Sequence, residues 1–129
     1  PKLLCLRTRE PVPFAATRWA LQPRDLVALP LTGEVATDGT HAGATLLYDL
    51  RAAAWDEKTM AALDLDPALF PTIGPSSGVV GGLRATIARR VGLPVGLPVV
   101  LGGADSQACA LGAGVVRPGP VSEMAGSPP

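Results

Sequence analysis

The stretch Pro98-Val-Val-Leu-Gly-Gly-Ala-Asp-Ser-Gln-Ala-Cys-Ala-Leu-Gly-Ala-Gly114 decides how the rest of the sequence reads. Its first residues, Pro98 to Leu101, predict a short buried strand. Gly102 and Gly103 predict a turn, because paired glycines reach backbone dihedrals closed to other residues and leave room for a ligand to approach. A helix is expected from Asp105 to Leu111. Asp105 then stands at the carboxyl end of a strand and the amino end of a helix. In open α/β sheets ligands bind outside the carboxyl ends of strands. A helix start adds unpaired N–H groups and a positive dipole end. Two readings of Asp105 stay open at this level: a helix N-cap, a routine use of aspartate, or a carboxylate facing a cleft.

Working back toward the amino terminus, Lys2 to Arg9 carries Leu3, Leu4 and Leu6 and reads as a helix stopped by Pro11 and Pro13. Phe14 to Arg18 reads as a further helical turn, and Ala20 to Gln22 as an extended segment. Pro23 suits a first helical position, and Asp25 falls in the first turn. Leu26, Val27, Leu29 and Leu31 fit a buried helix ending near Gly33, with Pro30 expected to kink it or end it early. Asp38 is a candidate cap for a helix over 40–47, and the small residues around it suggest close packing or a wall near a ligand. His41, the single histidine, reads as a surface or hydrogen-bonded residue rather than a metal ligand. Asp56 opens the next helix, with Trp55 as a staple and Met60 and Leu63 on one face. Asp66 with Pro67 caps one more turn, to Phe70; capping outweighs a metal pair for Asp64 and Asp66.

Pro71 to Ser77 reads as a loop and Gly78 to Gly82 as a weak strand. Leu83 to Val91 reads as a helix with Ile87 and Val91 inward and Arg84, Arg89 and Arg90 in solvent. Beyond Gly114, Val121 to Gly126 reads as a strand ending in a Gly126-Ser127 turn. Helices alternating with strands through short Gly/Pro links indicate an α/β fold.

Composition narrows the function. The 129 residues suffice for one domain, and 47% hydrophobic content supplies a core. Eleven basic residues balance eleven acidic ones, so nothing points to nucleic acid or an anionic membrane. No apolar run approaches the ~20 residues of a membrane helix, and no signal peptide is visible. The two cysteines, Cys5 and Cys109, lie in apolar contexts and read as buried thiols of a reducing, cytoplasmic compartment. Both ends read as cut.

Phosphate-loop, dinucleotide, CxxC, HExxH and GxSxG signatures are absent. What remains is Asp105 beside Ser106 and Gln107, and the later Gly126-Ser127 turn. A carboxylate among hydrogen-bonding side chains in a glycine-lined crevice suits a general base for a hydroxyl. A Gly-Ser turn after a strand suits backbone contacts to phosphate. Together they suggest phosphoryl transfer to an alcohol.

The sequence also resembles the FGGY carbohydrate kinases, piece by piece and in order. Pro1-Lys-Leu-Leu with Leu6-Arg7 is similar to the family's "PKLLWLR". Leu31 to Asp38 resembles "LTGEYATD", and Gly43 to Asp49 resembles "SGTLLFD", followed by Trp55-Asp56. Leu65 to Leu69 resembles "LDPALLP". Pro98 to Gly114 resembles "PVVAGGGDQAAAALGAG", and Val121 to Ser127 resembles "VSLSLGTS". The resemblance implies part of an actin-like, ribonuclease-H-like ATPase fold. Residues 1–116 would be the second half of the amino-terminal domain, and 117–129 the start of the carboxyl-terminal one. It implies ATP and Mg2+ as cofactors and a small sugar as substrate. Xylulose leads, with gluconate, ribulose, fuculose and glycerol as alternatives; a homodimer is the assembly it allows. Asp105 falls on the family's general base, Ser106 and Gln107 on sugar contacts, and Gly126-Ser127 on a Gly-Thr phosphate turn. The pattern departs at Ser106, shorter than the usual amide, and at Pro128-Pro129, which replace small polar residues. The family's first phosphate motif and adenosine motif are not in this sequence, so the segment alone is expected to be inactive. The competing expectation is a stand-alone, non-catalytic α/β binding or structural module in which Asp105 only caps a helix.

Overall fold

In the computed structural model, residues 1–123 are described. The chain opens with two short helices, α1 (Lys2–Arg9) and α2 (Pro11–Ala15), followed by α3 (Pro23–Thr32). Strand β1 (Ala36–Asp38) runs directly into α4 (Gly39–Gly43). A small hairpin, β2 (Tyr48–Asp49) with β3 (Ala54–Trp55), leads to α5 (Glu57–Ala62) and a 3-10 turn at Pro67–Leu69. Then come β4 (Thr72–Gly74), β5 (Val79–Gly82), α6 (Ala85–Val91), β6 (Pro98–Val100) and α7 (Asp105–Gly112). Helices and strands alternate, as expected of an α/β chain.

The strands pair two by two. β1 and β4 are parallel, with Ala36 opposite Thr72 and Asp38 opposite Gly74. β2 and β3 are antiparallel, as are β5 and β6, where Val79 faces Val100 and Gly82 faces Pro98. β4 and the residue after β6 lie close together: a Cβ on Gly74 would lie 2.8 Å from the tip of the Leu101 side chain. The carboxyl ends of β1, β4 and β6 therefore gather in one place.

The apolar core lies elsewhere. Leu47, Met60, Leu65 and Phe70 are buried together, with Leu3, Leu4, Phe14, Ala20, Trp55, Leu63 and Leu69 packed around them. Trp55 tilts against Phe70 with ring centroids 5.2 Å apart. Its indole N–H donates to the Pro71 carbonyl at 2.9 Å, which satisfies the polar edge of a ring otherwise in the core.

Three aspartates start helical turns as the sequence indicates. Asp38, Asp56 and Asp66 each accept backbone N–H groups of the turn that follows. At Asp56, hydrogen bonds from Thr59, side chain then backbone, hold the carboxyl below the usual carboxylate range.

Other expectations are corrected. Helix α3 runs through Pro30 to Thr32 and stops at Gly33, whose φ of 88° is left-handed. Pro30 sits in the last turn and lacks the N–H that would donate to the Leu26 carbonyl. That helix is not buried: Leu26 and Val27 are each 60% exposed, and its buried residue is Asp25. The turn foreseen at Phe14–Arg18 forms earlier, at Pro11–Ala15, where Pro11 provides a first-turn φ. The helix after Asp38 ends at Gly43, short of position 47. Helix α6 turns Ala88 inward, whereas Val91 is exposed. β6 is not a buried strand, since Val100 is 56% exposed and only Leu101, just beyond it, is buried. Both cysteines are exposed free thiols, not core residues. The presumed loop from Pro71 holds β4. Half of the strand expected over Val121 to Gly126, residues 124–126, lies outside the described residues, and residues 121–123 are not in a strand. Among the described residues no helix is long and apolar enough to cross a membrane.

Candidate functional site

The gathered strand ends are organised by one carboxylate. Asp38, the last residue of β1, is fully buried. Its Oδ2 accepts the Thr40 hydroxyl at 2.6 Å, the Ser76 hydroxyl at 2.7 Å and the Thr40 amide at 3.0 Å. Its Oδ1 lies 2.7 Å from His41 Nδ1 and 3.2 Å from an Arg24 guanidinium nitrogen. Burial by itself raises the Asp38 carboxyl, since a charge is costly away from water. Hydrogen bonds from Thr40, Ser76 and His41 outweigh that and hold it well below the usual carboxylate range. Asp38 is therefore an anion at neutral pH, solvated by protein groups instead of water.

Arg24, near the start of α3, extends the arrangement. It pairs with Asp25 at 2.6 Å and reaches the carbonyl oxygens of Leu101 and, at 2.8 Å, Gly102. Asp25 Oδ2 is a buried oxygen with no hydrogen-bond partner among the described residues. The Thr40 hydroxyl gives its one proton to Asp38, and its oxygen accepts the Ala104 N–H at 2.8 Å. Leu101 N–H and Gly102 N–H in turn donate to the carbonyls of Gly78 and Ser76 at 2.8 and 2.7 Å. Gly102 has a φ of 70°, a conformation that glycine adopts without strain. The loop between β6 and α7 is thereby tied at three residues, Leu101, Gly102 and Ala104.

That loop delivers Asp105. The expected strand–turn–helix unit is present, and Asp105 opens α7. It is not the N-cap, which corrects one of the two open readings. Ala104 occupies that position and offers no side-chain cap. Among the described residues the Asp105 carboxylate accepts only the neighbouring Ser106 N–H, at 2.8 Å, and it is exposed. It stands beyond the carboxyl end of β6 and makes no side-chain hydrogen bond to another element among the described residues. Ser106, half-buried, donates its hydroxyl to Gln107 Oε1 at 2.6 Å, so these two polar side chains sit together on the first turn. Gly126 and Ser127 lie outside the described residues.

His41 takes the hydrogen-bonded role expected of it, on Asp38. Among the described residues no group of three His, Cys, Asp or Glu side chains is placed to hold a metal ion. The sequence reading missed Arg24 and Ser76, and it saw Asp38 only as a cap. The available signal was the run Thr37-Asp38-Gly39-Thr40, in which a hydroxyl follows the aspartate by two positions. Nothing local shows that the carboxylate is buried.

Comparison with known proteins agrees with this architecture. The FGGY family of carbohydrate kinases, N-terminal domain, matches residues 1–112. A xylulose kinase of Lactococcus lactis is 34% identical over 117 residues, covering 91% of this chain and 23% of the relative. The crystal structure of a xylulose kinase from Brucella ovis superposes with a TM-score of 0.84 at 34% identity, over 92% of this chain and 25% of that one. The xylulose kinase of Rhodospirillum rubrum gives a TM-score of 0.82 at 35% identity, over 92% and 24%. The chain thus spans about a quarter of the length of the relatives it matches. With family match, sequence identity and superposed α/β fold in agreement, the chain belongs to the FGGY family of carbohydrate kinases and carries part of their actin-like, ribonuclease-H-like ATPase fold.

Proposed function

We propose that this chain is a segment of an ATP-dependent sugar kinase and supplies its general base, Asp105. In this reading residues 1–116 complete an amino-terminal domain, 117–129 begin the next, and the enzyme works in the cytoplasm. The observation that carries the reading is the placement of Asp105. It is an exposed carboxylate at the carboxyl end of β6, on a loop whose backbone is fixed on both sides by hydrogen bonds. A base must be held, yet its lone pairs must be left for the substrate. Asp105 meets both conditions, and Asp38, fully engaged, meets only the first.

In the reaction a sugar hydroxyl approaches Asp105. The carboxylate takes the hydroxyl proton as the sugar oxygen bonds to the γ-phosphorus of Mg-ATP, and the bond from that phosphorus to the bridging oxygen breaks to release ADP. Magnesium is the counter-ion that ATP brings. Ser106 and Gln107, on the first turn of α7, would meet other sugar hydroxyls, Ser106 by accepting at its oxygen and Gln107 by donating its amide N–H. Gly126-Ser127 would meet phosphate through backbone N–H groups. Xylulose is the proposed sugar, on the strength of relatives bearing that name. Positioning and charge stabilisation lower the rest of the barrier.

The test is Asp105→Asn in the full-length kinase polypeptide that carries this segment, assayed for ADP release with D-xylulose. The expected outcome is a fall in kcat of about 10²–10⁴-fold with sugar KM changed less than about threefold. Turnover at the parent rate would remove Asp105 from the base role. The 129-residue segment alone should release no sugar-dependent ADP.

A further inference from the structure

We propose that Asp38, Thr40 and Arg24 are positioning residues for the Asp105 loop, acting through its backbone and not on the substrate. The inference rests on the assignment of Asp105 as the base and concerns what fixes that base in place.

Three features of the geometry carry it. First, Asp38 is fully buried and charged, and its partners come from α3, α4 and the residue following β4 by two positions. Such a group has few alternative arrangements, because any partner withdrawn leaves a buried anion under-solvated. Second, Thr40 can play only one part. A hydroxyl has a single proton, and Asp38 takes it at 2.6 Å, so the oxygen presents lone pairs and must receive a donor. The donor it receives is the Ala104 N–H, one residue before Asp105. The charge on Asp38 thus polarises the very oxygen that holds the loop. Third, Arg24 spans the same gap on the other side. One guanidinium nitrogen meets Asp38 and Asp25, and another meets the Leu101 and Gly102 carbonyls. Its planar fork fixes both directions at once. Residues 101, 102 and 104 are all anchored to groups that ultimately lean on Asp38, and Asp105 is the next residue along.

None of these three side chains hydrogen-bonds the Asp105 carboxylate, so loss of any one displaces the base without altering its chemistry. Misplacement by about 1 Å can cost up to about 10²-fold in rate. The experiment uses the full-length kinase polypeptide and Thr40→Val, which keeps the side-chain shape and removes the hydroxyl. The expected result is a fall in kcat of about 10–100-fold with sugar KM within about threefold, and recovery to within about threefold of the parent in Thr40→Ser. Placed on Asp105→Asn, Thr40→Val should lower the residual rate by less than about twofold, because a base already absent cannot be misplaced.

A Thr40→Val enzyme at the parent rate, beside an Asp105→Asn enzyme that is nearly dead, overturns the positioning role and leaves the base assignment standing. Equal losses from Thr40→Val with and without Asp105 also overturn it, since they mean independent action. An Asp105→Asn enzyme at the parent rate overturns the base assignment and this inference with it. Should Thr40→Val fail to fold, Arg24→Lys gives the same reading. It keeps a positive charge near Asp38 but lacks the fork to both carbonyls; a kcat drop of about tenfold supports the role, and an unchanged kcat overturns it.

Discussion

Two regions of this chain are held together by opposite means. The cluster of Leu47, Met60, Leu65 and Phe70 is apolar and drawn from one stretch of 24 residues. The Asp38 region is charged and hydrogen-bonded, and it joins residues from Arg24 to Ala104. The first tolerates adjustment, because dispersion and the hydrophobic effect have no direction. The second is directional, since every bond has one donor and one acceptor at a set distance. A segment that must present a carboxylate to within a fraction of an ångström gains more from directional bonds. A segment that needs only to stay folded gains more from burial. The contrast predicts that the two regions fail differently when disturbed.

The largest disturbance is Asp38→Asn. Its amide nitrogen cannot accept, so either Thr40 and Ser76 or Arg24 and His41 lose their partner. We expect a loss of about 3–5 kcal/mol in unfolding free energy, measured by urea titration of the full-length polypeptide. The pH dependence should change with it. The folded-state pKa of Asp38 is depressed, so its contribution is fully present above the unfolded value of about 3.9 and fades as the pH falls toward the folded one. The parent should therefore lose stability below about pH 4, and Asp38→Asn should show a shallower acid limb. Identical acid limbs would mean that the carboxylate is not held as an anion.

A smaller effect is expected from Met60→Ala, at the fully buried centre of the apolar cluster. It should cost about 2–4 kcal/mol by the same titration. Per folded molecule, kcat should stay within about twofold of the parent, because no bond to the Asp105 loop is touched. A large kcat loss in Met60→Ala would erase the distinction between the regions.

The sequence showed some of this and hid the rest for a consistent reason. Caps at Asp38, Asp56 and Asp66, the helix stop at Gly33 and the strand–turn–helix around Asp105 are local patterns, set by residues within a few positions. Burial is not local. Cys5, Cys109, Leu26 and Val27 look like core residues by type, but what covers a residue is decided by distant chain. β1 and β4 escaped notice because each is three residues long and neither alternates in polarity over a readable span. The same holds for Asp38. Its cap was legible because Thr40 and His41 follow it, whereas Ser76 lies 38 positions away. The position of Asp105 was legible, but the groups that fix its loop were not.

The span of those bonds has a kinetic consequence. Thr40 to Ala104 closes a loop of 64 residues and Arg24 to Leu101 one of 77, whereas the buried apolar four enclose a short one. Closing a longer loop costs about 0.6 kcal/mol more for each doubling, and long-range contacts are correspondingly late. Pulse labelling of amide hydrogens during refolding should find Met60 and Leu65, bonded within α5 and its turn, protected before Ala104; simultaneous protection would contradict that order. During synthesis the order is stricter still. The apolar cluster has its buried members once residue 70 has emerged and the carboxylate at 38 gains its last partner with Ser76, but the bond that fixes the Asp105 loop waits until residue 104 leaves the ribosome. A nascent chain stalled between these two points would carry a formed core and an unfixed loop before Asp105.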